Sequence, residues 1–512
     1  MRLRFSFLAA LTVSAGCGAA ESPPSGGEGG ASSAATGSSG GGAGGAECEA
    51  VPCAVEAPGA CGAGVKACVD GQPTGECVPA DPVPFGKAVC DAPALDLDCD
   101  GDTSACGELV QSVLIDGDGD GATMGLVLQD MALDVFGYVH VVANFDNSLA
   151  FEGQSYTDEH GAFYARLGPL PSLAVVDFRP LVSNYNSFLY LADTNEQGEA
   201  FVTFSVSAGA DVSTTFGDTA VIDDPNLARV TPGQPPVFVE YESPFEGESL
   251  AAGASRTVYV GGTYQEPPGA AIFRYGSDLQ IIGSAVPSEC NGSSSDRASF
   301  RQLAAGSGGL YAFLDASSAQ ETCLGATVFE SGYHLVKLSE DLGAVLAQRP
   351  LSVRVHGMSA RPGGAGLVVA GYAPAGVTVG DQTTAEEGGF VAWFDADLGD
   401  DVTLVSLPEM TPASVSVASD GIVTVAGTCT GQPAWGDCFV SSVLVVRLDP
   451  AGQVIWSKVL GRSGVTASAQ AVASSKDFVA VGGSFTGSPF EAVGLTPPAN
   501  GTLDGLVSAF RR

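Results

Sequence analysis

Two short stretches of the chain place aspartates at alternate positions ahead of a glycine. In "LDLDCDGDTSAC" they are Asp96, Asp98 and Asp100 before Gly101, and in "DGDGDG" they are Asp116, Asp118 and Asp120 before Gly121. Alternate side chains of a tight turn converge on one point, and glycine supplies the bend. Each stretch could therefore wrap a hard cation in oxygen ligands, and calcium prefers such a shell. The twelfth position, where a calcium loop usually carries a bidentate glutamate, holds Gly107 in the first and Val127 in the second. Binding would then be weak, on the order of 10⁻⁴ M. The competing reading is an ordinary Asp-Gly turn in an acidic chain.

Other chemistry is sparse. His140, His160, His334 and His356 are the four histidines, and no two have ligand spacing. His140 and His334 fall inside predicted strands and read as sheet residues. No Ser-His-Asp or Cys-His pattern emerges, and no glycine-rich loop opens a helix. Asp146, Asp158 and Glu159 would form a glycosidase pair only if the fold joined two of them. Trp435 offers an aromatic face for a sugar or a cation. Yet Phe216-Gly217-Asp218 and Val379-Gly380-Asp381 repeat the pattern of Trp435-Gly436-Asp437. An apolar residue before Gly-Asp therefore reads as part of a repeated structural unit.

Cysteine gives the clearest local signal. Eight lie within sixty residues: Cys48, Cys53, Cys61, Cys68, Cys77, Cys90, Cys99 and Cys106. Their intervals are too long and irregular for paired zinc ligands, and few large apolar residues accompany them. A disulfide scaffold over 48–106 is expected, its pairing open. The run from "CGAGVKAC" to "DCDGDTSAC" resembles the MopE-type cysteine-rich segment of exported bacterial proteins, in which G-V-x-x-C, C-x-x-G and D-x-D-C-D-G recur in this order. That resemblance implies a divalent metal. The acidic pair that usually trails D-C-D-G is replaced here by Thr103-Ser104-Ala105.

The amino terminus reads as an address. "MRLRFSFLAALTVSAGC" has two arginines, an apolar run too short to span a bilayer, and small residues before Cys17. Ser14-Ala15-Gly16-Cys17 resembles a bacterial lipoprotein lipobox, which implies cleavage after residue 16 and acylation of Cys17; the alternative is an ordinary secretory signal cut nearby. Residues 17–47 are almost all glycine, serine and alanine, a composition that cannot bury a core and suits a leash. The expected location is exported and lipid-anchored in the cell envelope, at the outer membrane. The formal charge of −37 repels nucleic acid and anionic headgroups, so a membrane partner is expected through the lipid alone.

Residues 107–512 read as strand after strand. "YVHVVANF", "AFVTFSV", "TVYVGGTY", "LYAFLDA", "LVVAGYA", "IVTVAGTC" and "FVAVGGSF" are one recurring strand, and Phe313, Val369, Val425 and Val481 in the last four are spaced by 56 residues. A second strand follows each ("AFYARL", "VFVEY", "AIFRY", "YHLVKL", "FVAWF", "VLVVRL", "GLVSAF"), a third often follows that, and a fourth precedes the recurring one. The expected fold is all-β, a β-propeller of seven four-stranded blades behind a small disulfide-rich module. "RLDPAGQVIWSK" resembles the bacterial seven-bladed propeller repeats that follow such cysteine-rich segments. The seventh unit holds three strands, and "ELVQSVLID", Glu108 to Asp116, has no partner of its own; it is expected to complete that last blade. Alternating strand direction puts Cys290, Cys323, Cys429 and Cys438 on one face, favouring pairs Cys290–Cys323 and Cys429–Cys438.

The function expected is a noncatalytic binding or scaffolding platform for an extracellular protein or glycan, with calcium as a structural ion. A propeller enzyme acting on polysaccharide or peptide and a calcium-dependent envelope component are the alternatives.

Overall fold

The computed structural model describes the backbone of 52–54, 63–69 and 72–79, and residues 107–511 apart from loops at 118–124, 152–153, 183–186, 207–213, 222–225, 240–244, 266–267, 287–297, 318–320, 431–437, 439–440, 462–465 and 487–502. The first three segments form an antiparallel three-stranded sheet. Cys17, the five cysteines of 48–106 outside those strands, Cys290, and Asp96, Asp98, Asp100, Asp118, Asp120 and Trp435 lie outside the described residues. The same holds for the side chains of Cys53, Cys68 and Cys77.

Residues 107–511 form a seven-bladed propeller, each blade an antiparallel sheet with strands a to d running from the central channel outward. The a strands are Leu126–Leu133, Ser187–Thr194, Phe245–Ala252, Ser299–Gly306, Arg354–Ala360, Met410–Val417 and Thr466–Ser474. The recurring sequence strand is b, for example Leu367–Ala373 in blade 5 and Val423–Cys429 in blade 6. Among the described residues the helical content is two 3-10 turns, Ala254–Arg256 and Pro362–Gly364. Alternating b and c positions are apolar on both faces, because each blade is sandwiched between two others. Leu444 of blade 6 packs toward blade 5 and Val445 toward blade 7, and both are fully buried.

Blade 7 takes its outer strand from the other end of the chain. Leu109–Gly117 pairs antiparallel with Leu503–Arg511 from Leu109 opposite Phe510 to Ile115 opposite Gly505. The Ser112 and Ser508 hydroxyls share a hydrogen bond of 2.8 Å, and Arg511 N–H donates to Glu108 O at 2.9 Å. The strand then runs on to meet blade 1, with Asp116 opposite Ala150. Asp116 thus sits on a strand rather than in a loop.

Blade 2 departs from the sequence reading. Its c strand is Leu227–Val230, and Val237–Val239 of "VFVEY" lies outside it as strand d. The four-residue c strand, broken by the polar Arg229 and framed by "DDPN" and "TPG", carries too little alternation to show in the sequence. The b–c connection of this blade also folds into its own hairpin, Thr214–Phe216 with Thr219–Val221, which docks on the d strand of blade 1.

The c–d turns show how small features are held. Leu279, Leu342 and Leu398 have φ of 60, 62 and 55°, and Gly452 stands at the same place with φ 83°. Each donates its N–H to the carbonyl three residues back. A leucine in this left-handed conformation costs about 1–2 kcal/mol, and all three are at most 4% exposed. Burial of the side chain outweighs the backbone cost.

Candidate functional site

All seven a strands carry a β-bulge at the same level. Register breaks leave Gln129, Tyr190, Glu248, Arg301, His356, Ala413 and Gln470 unmatched against their b strands. A bulge re-aims the side chain it carries. Five of the seven (all but Tyr190 and Glu248) line a cavity of about 490 Å³ along the channel. The bulges lie toward the start of each a strand. This is the face that also receives the d–a and b–c connections, termed here the upper face.

The recurring strand explains why the bulges form. Gly262, Gly371, Gly427 and Gly483 occupy one position of strand b, and a Cβ there would collide with the carbonyl oxygens of Glu246, Arg354, Thr411 and Ser468. Each of those carbonyls lies two residues before a bulged residue. The small-residue end of strand b is therefore the space into which the bulged a strand folds.

Around the ring the polar groups differ in what they have left to offer. Glu248 is committed: Arg301 Nη1 is bonded to its Oε2, Ser299 Oγ donates at 2.7 Å and Thr263 Oγ1 at 3.0 Å. His356, which lines the cavity, donates Nδ1–H to Pro412 O at 2.8 Å, so the neutral ring has Nε2 as its remaining acceptor. The Gln470 amide uses one end on Ser468 Oγ at 2.8 Å, and its Oε1 has no partner. Ala413, between His356 and Gln470 in the ring, presents only a methyl group.

Below the bulges the channel wall is stitched from blade to blade. The free edge of each a strand would leave N–H groups without partners. Ala192 N–H instead donates to Asp130 Oδ2 (3.2 Å) and Ala252 N–H to Asp193 Oδ2 (2.7 Å). Serines do the same work elsewhere: Ser359 accepts from Val417 N–H at 3.1 Å, Ser414 from Val472 N–H at 3.3 Å and Ser416 from Ser474 N–H at 3.0 Å. Burial pushes the Asp130 carboxyl up to about 7, despite the bonds from Met131 and Ala192, and Asp193 adds to the rise. Burial likewise pushes Asp193 up to about 6. Both carboxylates line the channel, yet the repeat shows them in the place of structural serines.

Of the other candidates, His140 and His334 resolve as structure, and the side chains of Asp158, Glu159 and His160 lie outside the described residues. His140 is fully buried in blade 1, where Asp134 Oδ2 accepts from its Nε2 (3.1 Å) and from Arg166 Nη2 (3.0 Å), and Tyr164 O–H donates to its Nδ1 (2.7 Å). Burial pushes the imidazole pKa down, which keeps it neutral in this tautomer. Burial would raise the Asp134 carboxyl, but the bonds from His140, Tyr138 N–H and Arg166 outweigh it and hold it below its ordinary value. His334 Nε2 donates to Glu330 O at 2.8 Å. Asp146 and Asp158 stand on the long b–c hairpin of blade 1, on neighbouring pairs of the ladder, not in loops at the channel. Phe216 and Val379 are buried before the Gly-Asp turns of their hairpins, as the repeat implied for Trp435.

On the upper face Cys429 and Cys438 are joined, with Cα atoms 5.9 Å apart, across the b–c connection of blade 6. Cys323, in the corresponding hairpin of blade 4, is disulfide-bonded to a cysteine outside the described residues. No group of three or more His, Cys, Asp or Glu side chains suited to a metal occurs among the described residues.

The fold defines a seven-bladed β-propeller. No protein-family model matches the chain, and no curated protein matches its sequence. Among solved structures it is similar to virginiamycin B lyase from Staphylococcus aureus, at 10% identity and a TM-score of 0.40 over 78% of this chain and 99% of that one. It is similar also to the Pan2 WD40 domain of Neurospora crassa, at 10% identity and a TM-score of 0.39 over 78% of this chain and 97% of that one. BamB from Moraxella catarrhalis has 12% identity and a TM-score of 0.37 over 79% of this chain and all of that one. Nothing about activity follows from identities this low.

Proposed function

We propose that this protein is an exported, lipid-anchored binding platform whose ligand enters the channel from the upper face. The observation that carries the reading is the ring of seven bulges. Bulges at one level in every blade give a common scaffold, while the side chains they aim are all different except for two glutamines. A purely structural ring would be expected to repeat its side chains, as the serine stitches below it do. Binding rather than catalysis is favoured because the buried carboxylates are spent on stitching and Glu248 is spent on Arg301, Ser299 and Thr263. Acylation at Cys17 would tether the platform by the 17–47 leash, and calcium at the aspartate runs Asp96–Asp100 and Asp116–Asp120 would stiffen its approach.

The test is a screen of the mature protein against envelope proteins and glycans, repeated with Ala413→Phe to fill the ring. A ligand lost on that substitution supports the reading, and a ligand indifferent to it places recognition elsewhere. Palmitate labelling that survives Cys17→Ala would remove the anchor from the proposal.

A further inference from the structure

Resting on that reading, we infer that the channel mouth receives a neutral, polyhydroxylated ligand, the terminal sugar of a glycan, seated at blade 6 between His356 and Gln470. Ala413 opens a notch there, flanked by two polar side chains of the ring, His356 and Gln470, that keep hydrogen-bonding capacity. With Nδ1–H donated to Pro412 O, the neutral His356 ring has Nε2 left as an acceptor. Gln470 leaves one end of its amide unpaired. A buried amide without a partner costs free energy, and a ligand hydroxyl serves either end of it, since O–H both donates and accepts.

Charge points the same way. The ring's one carboxylate and one guanidinium, Glu248 and Arg301, neutralise each other. The surrounding protein carries −37, which disfavours an anionic ligand such as a uronate or phosphate at long range. The cavity of about 490 Å³ falls within the ordinary range for small-molecule sites, about 300–1,000 Å³.

The experiment is calorimetric titration of the whole protein with neutral hexose and N-acetylhexosamine oligomers, with oligouronates and a lysine-rich peptide in parallel. Neutral oligomers should bind, and His356→Ala, Gln470→Ala and Ala413→Phe should each weaken them at least tenfold without lowering the melting temperature. If Ala413→Phe fails to fold, the two alanine substitutions carry the test. Binding of only the uronates or only the peptide overturns the sugar assignment, as does neutral binding that all three substitutions leave unchanged. A protein partner lost on Gln470→Ala, with no sugar bound, overturns the sugar and keeps the mouth; a partner that is unaffected overturns both.

Discussion

Replacing Asp130 by serine should change how stability depends on pH more than it changes stability itself. Serine already performs the same stitch one residue after the bulge in blade 6, where Ser414 accepts Val472 N–H. The substitution therefore keeps a bond to Ala192 N–H and removes the titrating group. In the folded protein the Asp130 carboxyl ionises near 7, against 3.8 for an ordinary aspartate. Its folded pKa is raised, so its contribution is full below about pH 4 and is lost as pH climbs toward 7. The upper bound on that loss is about 4 kcal/mol, at 1.36 kcal/mol per unit of pKa. Asp130 lines the channel and is only partly buried, which weakens the penalty on its charged form, so about 2–4 kcal/mol is expected. Unfolding entropy of about 2.1 cal/mol/K per residue over roughly 400 residues converts this to about 2–5 °C. Calorimetric melting of parent and Asp130→Ser from pH 4.5 to 8 should give curves that converge or cross, the variant being relatively better at pH 8. The background slope from all other carboxyls cancels in the difference. Two parallel curves would refute the reasoning and leave Asp130 ionised throughout.

Gly427→Ala should destabilise by more than about 2 kcal/mol in urea, because its Cβ overlaps the Thr411 carbonyl and the bulge at Ala413 must move; an unchanged midpoint would dissociate the glycines from the bulges. Leu398→Gly relieves about 1–2 kcal/mol of left-handed strain but removes a side chain worth about 2–5 kcal/mol in a core. Net destabilisation of about 1–3 kcal/mol is expected from the same urea titration. A chain beginning at Gly107 should melt cooperatively, whereas one beginning at Gly117 should aggregate or melt far lower, as read by light scattering and calorimetry.

The propeller was legible because its recurring strand is long, apolar on both faces and evenly spaced, and because a lone strand and an incomplete blade lay at opposite ends of the repeat. Blade 2 was not, since Leu227–Val230 is too short to carry a period. The ring was missed for a different reason. A bulge breaks the period of two on which strand reading depends, so His356 and Gln470 look like irregular residues in "VRVHGMS" and "SAQAVAS". The signal was nevertheless present one strand later, in the glycines of "VGGTY", "AGYA", "AGTC" and "GGSF", which record where a neighbouring backbone crosses too closely for a side chain. The stitching carboxylates gave no sequence signal, because only superposition of blades shows that Asp193 and Ser359 hold equivalent places.

The outer strand of blade 7 also sets a timetable. Ser112 and Ser508, bonded across the closure, are 396 residues apart in the chain. A chain made from its amino end produces Leu109–Gly117 before any blade and its partner Leu503–Arg511 after all the others. Pairings this distant in sequence are the slowest to form, so assembly ends with the step that joins first-made to last-made. Until then the early strand offers an unpaired edge to any neighbouring chain. The polar side chains of Gln111, Ser112 and Asp116 interrupt the apolar run of the strand during that wait.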